Sequence, residues 1–303
     1  MKTTRFGGTQ RAMALVPLAL LSTAWTASLI GVGGGTIASA SDNTGRLPDG
    51  SSIATQEIED PANYTQPGVI GLGVPEGSGD RIVQTASTNG IPAAALSAYQ
   101  RAATVINAAD KTCNIPWQLV AAIGRVESDH GRYNNNTLGK DGISRPGIYG
   151  IALDGSNNTQ AILDTDAGQY DRDAKHDRAV GPMQFIPQTW SVVGVDADGD
   201  AQRNPQDIDD AALAAAVYLC SGDNDLSTNA GQRSAVHRYN HSDSYVDLVL
   251  RIMNAYIDGD YTSVPNSTTS AVYIPPTYTF TRPTNGAKIN NPATATPTHD
   301  GNT

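Results

Sequence analysis

Apolar residues recur at helical spacing in several stretches between residues 91 and 261. Ile91-Pro92 opens the first, where Leu96, Tyr99, Ala103 and Ile106 share a face. The pattern predicts a helix to about Asp110. In the second, Leu119, Ala122, Ile123 and Val126 repeat at i, i+3, i+4 and i+7. Pro116 falls near its start, where the missing N–H costs nothing, and Gly131 lies beyond its end. A short helix is expected over Pro187 to Val193. Another is expected over Asp209 to Cys220, with Ala211, Ala212, Ala214, Ala215 and Ala216. A third is expected over Tyr245 to Tyr256, striped by Val246, Val249, Leu250 and Met253. Residues 131–181 are rich in Gly, Asp and Asn and hold no period. A loop that long inside a compact domain is often functional. The pattern predicts a mainly α domain with a long irregular segment forming one wall of a cleft.

Both flanks break this pattern. Residues 41–90 are rich in Gly, Ser, Thr, Asn, Pro and Asp and predict a flexible linker. Residues 262–303 turn to Thr, Pro, Asn and Ser and predict a disordered tail. The folded domain is therefore expected near 91–261. The first 40 residues read as an export signal. Lys2, Arg5 and Arg11 precede an apolar run from Ala12 to about Val32, and Ala38-Ser39-Ala40 offers small residues for cleavage. The run is also close to membrane-spanning length, so an uncleaved anchor attached to the membrane is the alternative. Either places the remainder in the cell envelope or the medium, outside the cytoplasm. No Cys follows the run, which argues against a lipoprotein anchor.

Charge and cysteines narrow the partners. The chain of 303 residues carries a formal net charge of −10 and shows no basic stripe, which argues against nucleic acid as a partner. Cys113 and Cys220 are the only cysteines. In an exported chain an even pair suggests one disulfide. Two buried free thiols are the alternative. The pair alone does not make a zinc site, and the five histidines show no ligand spacing with it.

One carboxyl group stands out. Glu127 lies one turn past Ile123 and two past Val120, on the flank of the apolar stripe. Partial desolvation there raises a carboxyl pKa, so the group holds a proton near neutral pH. Cleaving a glycosidic bond needs such an acid. The plainer alternative is an ion pair with Arg125, Arg132 or Lys140 near the helix end.

Three blocks resemble a known family. Ala121-Ala122-Ile123-Gly124-Arg125-Val126-Glu127-Ser128 resembles the catalytic-glutamate segment of lysozyme-like lytic transglycosylases. The closer likeness is to the membrane-bound lytic transglycosylase B group and its actinobacterial relatives. Gly181-Pro182-Met183-Gln184-Phe185-Ile186-Pro187 follows, with Thr189 and Trp190 just after. Tyr239-Asn240-His241-Ser242 is third, with Tyr245 close behind. The resemblance covers about 91–260. It implies a lysozyme-like, goose-type helical domain whose long loop lines the cleft. It also implies an enzyme that cleaves the MurNAc-GlcNAc β-1,4 bond of peptidoglycan glycan strands. Glu127 would act as acid and then base, and the muramyl C6 hydroxyl would close on C1 to give a 1,6-anhydro end. The substrate supplies its own nucleophile, so no cofactor and no second carboxylate are needed for the chemistry. Ser128, Met183, Gln184, Phe185, Tyr239, Asn240 and Tyr245 would line the sugar site. Read by physics alone, Pro182 and Pro187 stiffen the loop carrying Gln184. Met183, Phe185 and Trp190 are then core or cleft floor, and core suits Met183 and Trp190 better.

Two acidic clusters remain. Asp164, Asp166, Asp171, Asp173 and Asp177 lie in the long loop. One of them facing Glu127 would make a two-carboxylate hydrolase, whereas solvated charges or Asp turns are the simpler expectation. The second cluster has EF-hand spacing. Asp196, Asp198, Asp200, Asn204 and Asp207 occupy positions 1, 3, 5, 9 and 12, with the Gln202 carbonyl at 7. The family resemblance implies a calcium loop here, with a structural role. Ala201 replaces the usual Gly, and Asp207 is shorter than the usual Glu. The alternative is a surface turn ending in a helix N-cap. Two rival functions stay open: a hydrolysing muramidase, and a wall-binding protein of the same fold without activity.

Overall fold

The computed structural model describes residues 45–64, 71–74, 77–85, 90–156 and 159–269. The export signal or anchor, and the tail beyond residue 269, lie outside the described residues. The helices introduced below and three two-stranded sheets make the domain mainly α. No helix among the described residues is long and apolar enough to cross a membrane.

The core is built on three helices: α2 (Ala93–Ala109), α3 (Trp117–Ser128) and α5 (Ile208–Leu219). Helix α2 packs against both of the others. Helices α2 and α5 pack together, and the buried residues of both are rich in alanine: Ala95, Ala98, Ala102 and Ala103 on α2, and Ala211, Ala212, Ala214, Ala215 and Ala216 on α5. Small side chains let two backbones approach closely, which is why an alanine-rich helix sits at the centre. Helix α3 is buried on every side from Leu119 to Ser128. A helix buried all round belongs to the interior, so Glu127 sits deeper than an edge-of-stripe position suggests.

The remaining helices surround these. Helix α7 (Asp243–Ile257) lies along α3, and its N-terminus is capped by the Ser242 hydroxyl, which accepts from the Tyr245 N–H. Helix α4 (Pro187–Val193) packs on α5. Helix α6 (Asn229–Tyr239) is absent from the sequence expectations for a physical reason. Its buried face includes Gln232 and Arg238 as well as Ala235, Val236 and Tyr239, so no apolar stripe is legible. The Arg238 guanidinium donates to the Tyr218, Leu219 and Ser221 carbonyls at the C-terminus of α5, where a cation is favoured. A Cys113–Cys220 disulfide ties the loop after α2 to that same end, with Cα atoms 5.4 Å apart.

Two expectations are corrected. The described parts of the expected linker are packed against the domain. Leu47, Ala62, Val74 and Ile82 are buried in the core, and the short helix α1 (Gly79–Gln84) lies against α7. At the other end, β1 (Ile91–Pro92) pairs in parallel with β6 (Ser263–Val264), and the Asn266 side chain accepts from the Ala94 N–H. The domain therefore runs past 91–261 on both sides. The segment 131–181 is not wholly irregular. Strands β2 (Thr137–Leu138) and β3 (Ser144–Arg145) form one hairpin, and β4 (Tyr149–Ala152) pairs with β5 (Arg178–Val180). These strands are only two to four residues long, too short for an alternating pattern to show in the sequence.

Candidate active site

Helix α3 ends where Glu127 stands. Asp129 and His130 are both left-handed, with φ of 54° and 58°, ahead of Gly131 at 84°. The His130 N–H reaches back to the Gly124 carbonyl at 2.9 Å, a Schellman-type closure. Non-glycine residues in this region are strained by about 1–3 kcal/mol each and persist only where surroundings hold them. Here the surroundings are specific. Asp129 is buried between the guanidinium groups of Arg125 and Arg132, each 2.9 Å away. The His130 ring lies between the Tyr99 and Tyr256 hydroxyls at 3.1 Å each. Burial, reinforced by Arg132 and Arg125, holds this histidine neutral, with its pKa well below the usual value. A neutral ring has one donor and one acceptor nitrogen, so one tyrosine donates and the other accepts. The two arginines expected as ion-pair partners of Glu127 are thus engaged by Asp129, and Lys140 is exposed.

Glu127 itself is fully buried. Its Oε1 accepts from the Tyr245 hydroxyl at 2.6 Å, and its Oε2 accepts from the Asn63 side-chain amide at 2.7 Å. Burial pushes its pKa from an ordinary 4.5 up to about 8, against the opposing pull of the Tyr245 and Asn63 hydrogen bonds. The group is a protonated acid at neutral pH. Each bond it accepts takes one lone pair per oxygen, so each oxygen keeps a further lone pair that can carry the proton.

The three blocks converge on this carboxyl. The Ser128 hydroxyl donates to the Pro182 carbonyl at 2.6 Å, and the Tyr239 hydroxyl donates to the Met183 carbonyl at 2.7 Å. The loop between them is a tight hairpin, closed by paired bonds between Val180 and Phe185. Gly181 is obligatory in it: φ is +77°, and a Cβ would collide with the Pro205 carbonyl. Gln184 is left-handed, and its amide donates to the Gly181 carbonyl at 2.8 Å, closing the turn. Met183 and Phe185 are wholly buried. Phe185 joins an aromatic run from Trp190 to Tyr239 and Tyr218. Asn240 is buried at the C-cap of α6, directly after Tyr239.

Asn63 is the residue that sequence reasoning missed. It lies among Pro, Ala and Asp in a stretch without periodicity, and no local signal marks it. The chain around it is fixed at many points. The Ala62 and Asn63 N–H groups both donate to the Tyr239 carbonyl, and the Ile186 N–H donates to the Ala62 carbonyl. The Thr189 hydroxyl reaches the Pro61 carbonyl at 2.8 Å, and the Tyr218 hydroxyl reaches that of Asp60 at 3.0 Å.

The acidic residues of the long segment make its own turns. Asp177 accepts from Thr165, Asp171 from the Asp173 and Arg178 N–H groups, and Asp173 from the Arg178 guanidinium. Asp164 and Asp166 bond backbone N–H groups between Asp166 and Tyr170. Among the described residues, none of them hydrogen-bonds Glu127.

In the second acidic loop, Asp196, Asp198 and Asp210 bring carboxylate oxygens within 4.8 Å of one another. Ala201 takes the left-handed conformation the spacing requires, with φ of 67°. Asp207 caps α5 instead, accepting from the Asp209 N–H, while Asp200 accepts from the Gln202 N–H. Burial raises the pKa of Asp207 and of Asp210 to about 7 in each case, and neighbouring carboxylates add to both. Three convergent carboxylates suit a hard, oxygen-liking cation.

No protein-family model matches the chain, and no curated protein matches it. Among solved structures it is similar to the Escherichia coli lytic transglycosylase Slt35 in complex with bulgecin A. That likeness has 16% identity and a TM-score of 0.36, and covers 59% of this chain and 75% of that one.

Proposed function

We propose that this protein is a peptidoglycan lytic transglycosylase of lysozyme-like fold, with Glu127 as its acid and base. The observation that carries this reading is the buried carboxyl held between Tyr245 and Asn63, with a pKa of about 8. A proton available at neutral pH suits protonation of the glycosidic oxygen. The carboxylate left behind suits deprotonation of the muramyl C6 hydroxyl, with Tyr245 and Asn63 ready to stabilise its charge. The turn-making roles of the aspartates of the long segment 131–181 favour this single-carboxylate route over a muramidase with a second carboxylate. Ser128, Met183, Gln184, Phe185, Tyr239 and Asn240 then shape the sugar site, chiefly by fixing the hairpin against α3 and α6. The disulfide and the basic-then-apolar N-terminus support work on the cell wall outside the cytoplasm.

The test is wall cleavage by the wild type and by Glu127→Gln. The reading expects wild type to release muropeptides from purified walls and the variant to release at most about a thousandth as much, the scale on which loss of a catalytic group is felt. Binding without release by the wild type would favour the wall-binding alternative.

The Asp196, Asp198 and Asp210 cluster is proposed as a structural calcium site, with Asp207 serving as the helix cap beside it. Calcium added after chelation is expected to raise the melting temperature and, near pH 7, to release protons from the crowded carboxylates. An unmoved melting temperature and no proton release would dismiss the site.

A further inference from the structure

We infer that Asn63 is a positioning residue of this active site, and that the segment Asp60–Tyr64, which precedes the helices of the domain in the chain, is a working part of the catalytic machinery. The inference rests on the reading of Glu127 as the acid and base. It goes beyond the three blocks, none of which includes any residue before 121.

The geometry leaves Asn63 one orientation. Its Oδ1 accepts from the Tyr64 N–H at 2.8 Å, so its Nδ2 faces Glu127 Oε2. An amide N–H₂ only donates. It therefore binds a carboxylate better than a carboxylic acid, because a charge-assisted bond is roughly twice as strong as a neutral one. The other groups facing Glu127 differ from it. Tyr245 from α7 donates to Oε1, and Tyr239 from α6 stands close enough to feel its charge. Burial keeps both phenols protonated, with pKa values well above the usual. No other ionisable side chain acts on the carboxyl in the described residues. Asn63 is the group that secures Oε2, and Glu127 must pass through its charged form between its two proton transfers.

The backbone around Asn63 is built to hold it. Two consecutive N–H groups, of Ala62 and Asn63, share the Tyr239 carbonyl. On the other side the Ala62 carbonyl takes the Ile186 N–H. The segment is thus clamped between the second and third sequence blocks, with its one amide aimed at the first. Further along, the Gly73 N–H donates to the Val126 carbonyl at 2.9 Å, and the Gly73 carbonyl accepts from Arg125 at 3.0 Å. A Cβ at Gly73 would collide with the Arg125 carbonyl. The same stretch of chain therefore also contacts the helix turn that carries Glu127.

The test reads the carboxyl directly. The chain has four glutamates, Glu57, Glu59, Glu76 and Glu127. Carboxyl-labelled glutamate gives four NMR signals, and Glu127→Gln assigns the one of interest. In full-length Asn63→Ala the Glu127 titration is expected to move upward by about one pH unit, because a donor to the charged form is lost. The isosteric Asn63→Asp, which keeps the side-chain shape, is expected to raise it as well by placing a second carboxyl beside it. Wall cleavage by Asn63→Ala is expected to fall about 10- to 100-fold in kcat with a smaller change in KM, the scale of one charge-assisted bond. A Glu127 titration unmoved in both variants overturns the inference. An upward move in a protein that cleaves no wall would leave the Asn63 contact standing and overturn the proposed enzyme instead.

Discussion

The Glu127→Gln variant should gain stability relative to the wild type as pH rises. The folded-state pKa of about 8 lies above the ordinary 4.5, so the folded protein holds a proton that the unfolded chain releases. Below pH 4.5 both states are protonated and the group is neutral to stability. Between 4.5 and 8 the unfolded state binds fewer protons, so stability falls as pH rises. At about 1.4 kcal/mol per pH unit, the gap between 4.5 and about 8 comes to about 5 kcal/mol at pH 8 and above. At pH 7 it is about 3 kcal/mol. Glutamine does not ionise and escapes this loss. Its oxygen accepts from Asn63 while its N–H₂ donates to the Tyr245 hydroxyl, which turns to accept and gives up its own acceptor, a pH-independent cost of about 1–3 kcal/mol. The assay is urea unfolding of both proteins at pH 5, 7 and 9. The raised groups Asp207 and Asp210 are common to both and cancel in the difference. The stability gap should move in favour of Glu127→Gln by about 4 kcal/mol between pH 5 and pH 9. A gap independent of pH would refute the buried-acid argument.

Two further outcomes follow from the packing. Asp129→Ala should destabilise by about 3–5 kcal/mol, because it strips the buried carboxylate from between Arg125 and Arg132; an unfolding midpoint within error of wild type would count against it. Replacing Cys113 and Cys220 by Ser should lower stability by up to about 5 kcal/mol, the chain-entropy figure for a loop of this size, given their sequence separation of 107. An unchanged urea midpoint would mean that the bridge does little in the folded domain.

The sequence was most informative where one face of a helix is apolar. The α3 stripe from Leu119 to Val126 and the α7 stripe from Val246 to Met253 are found where the spacing puts them. It was silent on α6, whose buried Arg238 and Gln232 work through hydrogen bonds to carbonyls that only the fold brings near. It misplaced the described residues between 45 and 85, because stretches fixed by backbone bonds to Tyr239, Ile186 and Val126 need no periodicity of their own. The candidate site divided in the same way. Glu127 is legible from motif and helix position, whereas Tyr245, expected to line the sugar site, instead donates to Glu127. Asn63 is not legible, since its role depends on contact with a residue 64 positions away. Likewise, Asp210 rather than Asp207 joins Asp196 and Asp198, because Asp207 is occupied in capping α5.

The claim that Glu127 serves both proton transfers, with the substrate's own hydroxyl as nucleophile, is tested most directly by the products. Purified cell walls are digested in heavy-oxygen water, and the released muropeptides are analysed by mass spectrometry. The account predicts 1,6-anhydromuramyl ends that carry no label, since no water enters the bond. Reducing muramyl ends carrying heavy oxygen would contradict it and identify a hydrolase.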